Sequence, residues 1–172
     1  MTVIETSRAT VIVVMSDESE EICWSGSGAV ILGDKYIVTN AHVADTNFPE
    51  NRTDLGCKVL NIGLSDKTGR NVETWVGASL TASDIPMDLA ILELDTSVGA
   101  DPTSLLFREG NVSLGEEVRV FGYPNIGGET LTLSSSILSG LDEAGSYPFY
   151  KVTADIFGHG LSRFTPTAQQ SG

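Results

Sequence analysis

Ser25-Gly26-Ser27-Gly28-Ala29-Val30-Ile31-Leu32-Gly33-Asp34-Lys35-Tyr36-Ile37-Val38-Thr39-Asn40-Ala41-His42-Val43 is the stretch on which the fold turns. It reads as a glycine-rich entry, an apolar run, a two-residue turn, and a second apolar run that leads straight into a histidine. The runs are rich in β-branched and aromatic residues, and Gly33-Asp34 is hairpin-turn chemistry. The expected hairpin is 28–32 with 35–39. A histidine at the end of a rigid strand can be held in one orientation, which a general base requires before its pKa matters.

Outward from this hairpin, short apolar runs recur between Gly, Asn, Asp and Pro, the pattern of an all-β chain. Strands are expected at 10–15, 57–64, 72–80 and 89–94, with an acidic loop at 17–21 and a polar loop at 45–56. The connection 95–104, with Gly99 and Pro102, divides the chain. Further strands are expected at 117–122, 130–138 and 149–154. The boundaries predicted are therefore 1–98 for a first half, 99–162 for a second and 163–172 for a disordered tail. With 172 residues and 41% hydrophobic content, such a chain can bury a substantial core.

A net charge of −13 repels phosphate backbones and argues against nucleic-acid binding. No stretch is apolar for long enough to span a bilayer as a helix, and residues 1–6 lack the basic start of a secretory leader. Cys23 and Cys57 leave two readings open, a disulfide or two thiols buried in strands; sparse cysteine usage favours the thiols. His42, His159 and a cysteine have no metal-ligand spacing, so neither a metal nor a cofactor is expected.

Three residues carry candidate chemistry. His42 is the first. Asp88, in Met87-Asp88-Leu89-Ala90-Ile91-Leu92-Glu93-Leu94, stands just before an apolar strand, where a carboxylate can be buried at one end and accept the Nδ1 proton of a histidine. Ser162 follows Gly160 by two residues, a spacing that allows a tight turn with the amides of Gly160 and Ser162 aimed at a developing oxyanion.

Together these motifs resemble a trypsin-like (chymotrypsin-fold) serine protease, most closely of the bacterial high-temperature-requirement type. The resemblance is carried by Gly26-Ser27-Gly28, Thr39-Asn40-Ala41-His42-Val43 and Asp88-Leu89-Ala90. Leu114-Gly115-Glu116-Glu117-Val118, Phe121-Gly122-Tyr123-Pro124, Thr132-Leu133-Ser134-Ser135 and Ser139-Gly140 add to it. It implies two six-stranded-type antiparallel β-barrels, the second incomplete here. It implies a serine endopeptidase acting on polypeptide substrates, with His42 as general base, Asp88 as its orienting acid, Ser162 as nucleophile, and Gly160 and Ser162 as the oxyanion hole. Thr153-Ala154-Asp155 would lie where a strand leads into the nucleophile loop. Oligomeric state and cellular location are left open.

The chain departs from the family at one place. The family motif Gly-x-Ser-Gly-Gly-Pro appears as Gly160-Leu161-Ser162-Arg163-Phe164-Thr165, with Arg163 and Phe164 in place of two glycines. Bulky residues strain a backbone that needs positive φ or close approach. Apolar periodicity also ends there, so a C-terminus truncated or frameshifted after about residue 161 or 162 is expected. Two functions stay open: an endopeptidase, and a protease-like peptide-binding module without turnover or a gene fragment.

Overall fold

The computed structural model describes residues 1–33, 35–49, 51, 56–96, 104–124, 129–142 and 149–153. Among the described residues the chain is all-β apart from two short helices. In order the elements are α1 (Val3–Ala9), β1 (Thr10–Ser16), β2 (Ile22–Ile31), β3 (Tyr36–Thr39), α2 (Ala41–Ala44), β4 (Val59–Ser65), β5 (Val72–Asp84), β6 (Leu89–Leu94), β7 (Glu117–Gly122), β8 (Thr132–Asp142) and β9 (Phe149–Val152). The first six strands close an antiparallel barrel in the order β1-β2-β3-β6-β5-β4, and β7-β8-β9 form a separate three-stranded sheet. The expected tail at 163–172 lies outside the described residues. No described helix is long and apolar enough to cross a membrane.

Alternation places the core. Val11, Val13 and Met15 of β1 point into the barrel with Val30, Ile37, Leu60, Ile62, Leu92 and Leu94. Burying each such side chain contributes about 1.5–3 kcal/mol. β1 is buried along its whole length, because its other face is covered too. Ile12 and Val14 pack there against Tyr123, with Val72 and Leu131 at the margin. Burial pushes the Tyr123 hydroxyl up to about 12, and the charge of Asp66 adds to this, so the ring stays neutral in its apolar seat.

Ser27 ties the two sheets together. Its Oγ accepts the backbone N–H of Tyr123 at 2.8 Å, while its carbonyl accepts the Thr39 hydroxyl at 2.8 Å. A Cβ at Gly122 would fall 3.0 Å from that Ser27 Oγ, a tight approach that would press on the hydroxyl holding Tyr123.

One element stands outside the expected strands and one expectation is corrected. The element is the helix α1, opened by a capping box in which Thr2 Oγ1 accepts the Glu5 N–H and the Glu5 carboxylate accepts the Thr2 N–H. The cysteines, expected as buried thiols, form a Cys23–Cys57 disulfide. The topology explains it: β1 pairs with β2 on one side and β4 on the other, and Ser16 faces both Ile22 and Val59. Cys23 and Cys57 thereby flank the same end of β1, with their Cα atoms 6.3 Å apart.

The β4–β5 turn is organised by Asp66. Its Oδ1 accepts the hydroxyl and N–H of Thr68 at 2.6 and 2.9 Å and the Arg70 N–H at 3.3 Å. The Thr68 hydroxyl leads these bonds in holding the carboxyl down to about 2, against an ordinary value of 3.8. A depressed folded-state value means that this stabilisation is complete above about pH 4 and is lost as pH falls through about 2. Asp66→Asn should therefore flatten the stability profile in that window, measured by urea titration at successive pH values. An unchanged slope would show that the turn contributes nothing to acid lability. Replacing both cysteines by serine should cost about 2–4 kcal/mol in the same assay at neutral pH.

Candidate active site

The barrel register builds the site. β3 pairs with β6 so that Thr39 faces Ala90. The chain leaving β3 and the chain entering β6 therefore meet at one rim. His42 leaves β3 and Asp88 enters β6, so two residues 46 apart in sequence become neighbours.

His42 does not sit at the end of a strand, as its sequence suggested. β3 stops at Thr39, and His42 lies on the single turn α2, which ends where the Asp45 N–H bonds to the Ala41 carbonyl at 2.8 Å. The turn fixes the histidine twice over. Its backbone N–H donates to Asp88 Oδ1 at 2.8 Å, and its ring Nδ1 meets Asp88 Oδ2 at 2.7 Å. One carboxylate thus reads both main chain and side chain of the same residue. With Nδ1–H donating to Asp88, the lone pair of the neutral ring lies on Nε2.

Asp88 has only 16% of its side chain exposed, against 47% for His42. Its backbone is in the left-handed region, with φ +53. Aspartate tolerates this conformation better than most residues. The turn before it is closed by Asp88 N–H to the Ile85 carbonyl and by Met87 N–H to Asp84 Oδ1, both at 3.0 Å. The positive φ turns the carboxylate back toward α2 as the chain enters β6.

Asn40 is a site residue that the sequence reading passed over. It occupies the position before α2 where such a side chain usually caps the helix, yet it makes no capping bond. Its Nδ2 donates instead to the Asp88 carbonyl at 2.9 Å and to Asp88 Oδ2 at 3.3 Å. The sequence signal was an N-cap residue beside a candidate base, with nothing to say that its amide points across the rim.

α2 is also held from behind. Trp24 Nε1–H donates to the Val43 carbonyl at 2.9 Å. A Cβ at Gly26 would fall 2.5 Å from Val43 Cγ2, so that glycine leaves room for the turn to seat on β2. The Cys23–Cys57 bond closes the segment that bears His42.

Asp45, which follows α2, is 5% exposed. Burial pushes its carboxyl up, but the bonds from Asn47 and Ser83 outweigh it and leave the group below its ordinary value. Phe48, further along the same loop, lies against the His42 ring with centroids 5.9 Å apart.

His42 and Asp88 are thus brought together. Ser162, Gly160 and His159 lie outside the described residues. A hollow of about 390 Å³ opens on the second sheet among Glu117, Arg119, Ser135, Ser136, Ile137 and Thr153. It is not lined by His42 or Asp88. Thr153 Oγ1 lies 3.1 Å from Ser136 Oγ there. Among the described residues no cluster of His, Cys, Asp and Glu could hold a metal ion.

A family model described as "Trypsin-like peptidase domain" matches residues 26–164. No curated protein matches the chain. Among solved structures, the serine endoprotease from Yersinia pestis is similar at 23% identity and a TM-score of 0.60, over 79% of this chain and 42% of that one. Deg5 is similar at 23% identity and a TM-score of 0.68, over 88% and 70%. An HtrA-type protease, AlgW, with a tripeptide is similar at 22% identity and a TM-score of 0.64, over 85% and 42%. At these identities the likeness shows the fold, and the chain spans less than half the length of the first and third of these proteins.

Asn40→Ala removes the amide that Asp88 uses. We expect a loss of about 1.5–3 kcal/mol, since a charged acceptor is left short of a donor. Asn40→Asp, nearly isosteric, should cost more because it sets a second carboxylate beside the first. Denaturant midpoints of the two variants against the wild type check this order, and variants with the wild-type midpoint would show that the Asn40–Asp88 bonds carry no weight.

Proposed function

This chain belongs to the trypsin-like peptidase family, and on that footing we propose that it is a serine endopeptidase that hydrolyses peptide bonds in polypeptide substrates. The observation that supports this best is the 2.7 Å approach of His42 Nδ1 to Asp88 Oδ2, with the His42 N–H on the other oxygen. That geometry fixes the tautomer a general base needs and stabilises the imidazolium that forms when it acts.

Ser162 supplies the nucleophile in this reading. Its Oγ attacks the scissile carbonyl carbon while its proton passes to His42 Nε2. Asp88 accepts the Nδ1–H throughout and is not itself protonated. The oxyanion of the tetrahedral intermediate takes N–H bonds from Gly160 and Ser162. Collapse breaks the C–N bond, and the departing amine takes the proton from Nε2, leaving an acyl-enzyme. Water then repeats the attack, its proton passes to Nε2 and on to the Ser162 oxygen, and the acid product leaves.

A second reading rests on Arg163 and Phe164, which stand where the family has glycines. In it the same fold binds peptides without cleaving them. The two readings part in one experiment. A fluorophosphonate probe should label the wild type, and Ser162→Ala should abolish labelling. Asp88→Asn should slow labelling by about 10⁴ by upsetting the tautomer. A wild type that stays unlabelled yet binds peptides equally well with or without the Ser162 hydroxyl is the binding module.

A further inference from the structure

The His42 imidazole is half exposed, as a base that meets substrate must be, and its ring is tied at Nδ1 alone among the described residues. One bond at one corner leaves the ring free to rock about that bond and to swing out to the exposed rotamers. The flank of the ring is closed by Phe48, with centroids 5.9 Å apart and planes at 65°, an edge-to-face pair. Phe48 is itself half-buried and packs against the barrel core, so it is anchored on one side and meets His42 on the other.

The loop that presents Phe48 is built for rigidity. Phe48 N–H donates to the Asp45 carbonyl at 3.1 Å, and Asn51 N–H donates to the Phe48 carbonyl at 2.9 Å. Asn51 Nδ2 donates to the same Asp45 carbonyl at 2.6 Å. The buried Asp45 carboxylate accepts Asn47 N–H at 2.8 Å and Asn47 Nδ2 at 3.0 Å. Asp45 is thus the post from which the turn carrying Phe48 is hung, and it is also the residue that ends α2. The base and the ring beside it share one anchor.

We propose that Phe48 is a positioning residue, whose ring holds the His42 imidazole in its Asp88-bonded orientation. This rests on the reading of His42 as the general base, and the test separates the two. An edge-to-face pair of this geometry biases a two-state rotamer equilibrium by about two- to twelvefold. That is the share of the ring population that Phe48 secures.

The test uses Phe48→Ala, Phe48→Leu and Phe48→Tyr in the full chain. Phe48→Leu keeps apolar bulk in the core and so guards against an alanine variant that does not fold. Phe48→Tyr keeps the ring. Two readouts are taken on each: the His42 Nδ1–H proton resonance with its side-chain couplings, and the rate of fluorophosphonate labelling. Phe48→Ala and Phe48→Leu should broaden the Nδ1–H signal and average the couplings. Both should slow labelling, by at most about two- to twelvefold, with probe affinity unchanged. Phe48→Tyr should restore wild-type values. Loss of thermal stability with an unmoved Nδ1–H signal would overturn the proposal, and so would wild-type signals in Phe48→Leu. Should the wild type not label at all, the hydrolase reading fails, while the resonance and couplings still decide whether Phe48 holds the ring.

Discussion

The register of β3 against β6 is the constraint on which the site depends. Thr39 facing Ala90 brings two chain segments to one rim of the barrel, and the residues just beyond that pair are Asn40 and His42 on one side and Asp88 on the other. A slip by one residue would turn every side chain of β3 to the opposite face. Ile37 would leave the core, and the His42 N–H would no longer meet Asp88. The hydrophobic pattern that closes the barrel therefore also sets the geometry of the polar cluster at its rim. The cluster in turn stabilises what packing leaves costly, since a carboxylate that is mostly buried gains from each donor aimed at it.

On the proposed reading of His42 as a general base, access and order conflict. Such a base has to be reached by substrate, so it cannot be locked by burial. Its order comes instead from fixed neighbours on several sides: Asp88 across the rim, itself held by Asn40, Trp24 behind the turn through Val43, and Phe48 along the ring. The Cys23–Cys57 bond limits how far the segment bearing the turn can open, because it joins the strand before that segment to the residue that follows it. Disulfides persist in oxidising surroundings, so the stiffness of this segment depends on the redox state around it.

The barrel was legible because its strands are short apolar runs punctuated by Gly, Asn and Asp, and the nine strands among the described residues, those of the second sheet included, each overlap a run so marked. The extents were less legible. β2 begins at Ile22, well before the expected residue 28, because Ser25-Gly26-Ser27-Gly28 has weak intrinsic strand character and is held extended by its ladder with β1. α1 was missed although its Thr2-to-Glu5 capping box stands in the sequence, since a helix of one to two turns has little periodicity to show. His42 and Asp88 could be singled out as a pair only with the motifs around them. Asn40 and Phe48 could not, because their roles come from contacts across the rim and within a loop that follow no period. The disulfide was obscured for a similar reason: its two cysteines become neighbours only once β1 has paired on both sides.

A reaction shared between His42 on the barrel and a nucleophile reached through β9 would depend on how firmly the second sheet is placed against the first. Reacting groups need to be held to within about half an ångström, and loose docking of two sheets would not achieve that. The contact here is specific. Tyr123 buries its ring on Ile12 and Val14 while its backbone N–H is taken by Ser27, three residues before Val30 on a core strand and opposite Ile12 in the β1 ladder. The Asn71–Thr130 bridge and the Leu131 N–H bond to the Arg70 carbonyl add a second tether near the Asp66 turn. Two separated tethers resist rotation, which one cannot. Ser27 also accepts Tyr123 with the same residue whose carbonyl holds the Thr39 hydroxyl, at the last position of β3 before Asn40. The bond that locates the second sheet and the bond that steadies the approach to His42 thus arise from one serine, so a change there would disturb the seat of the second sheet and the rim that bears His42 at once.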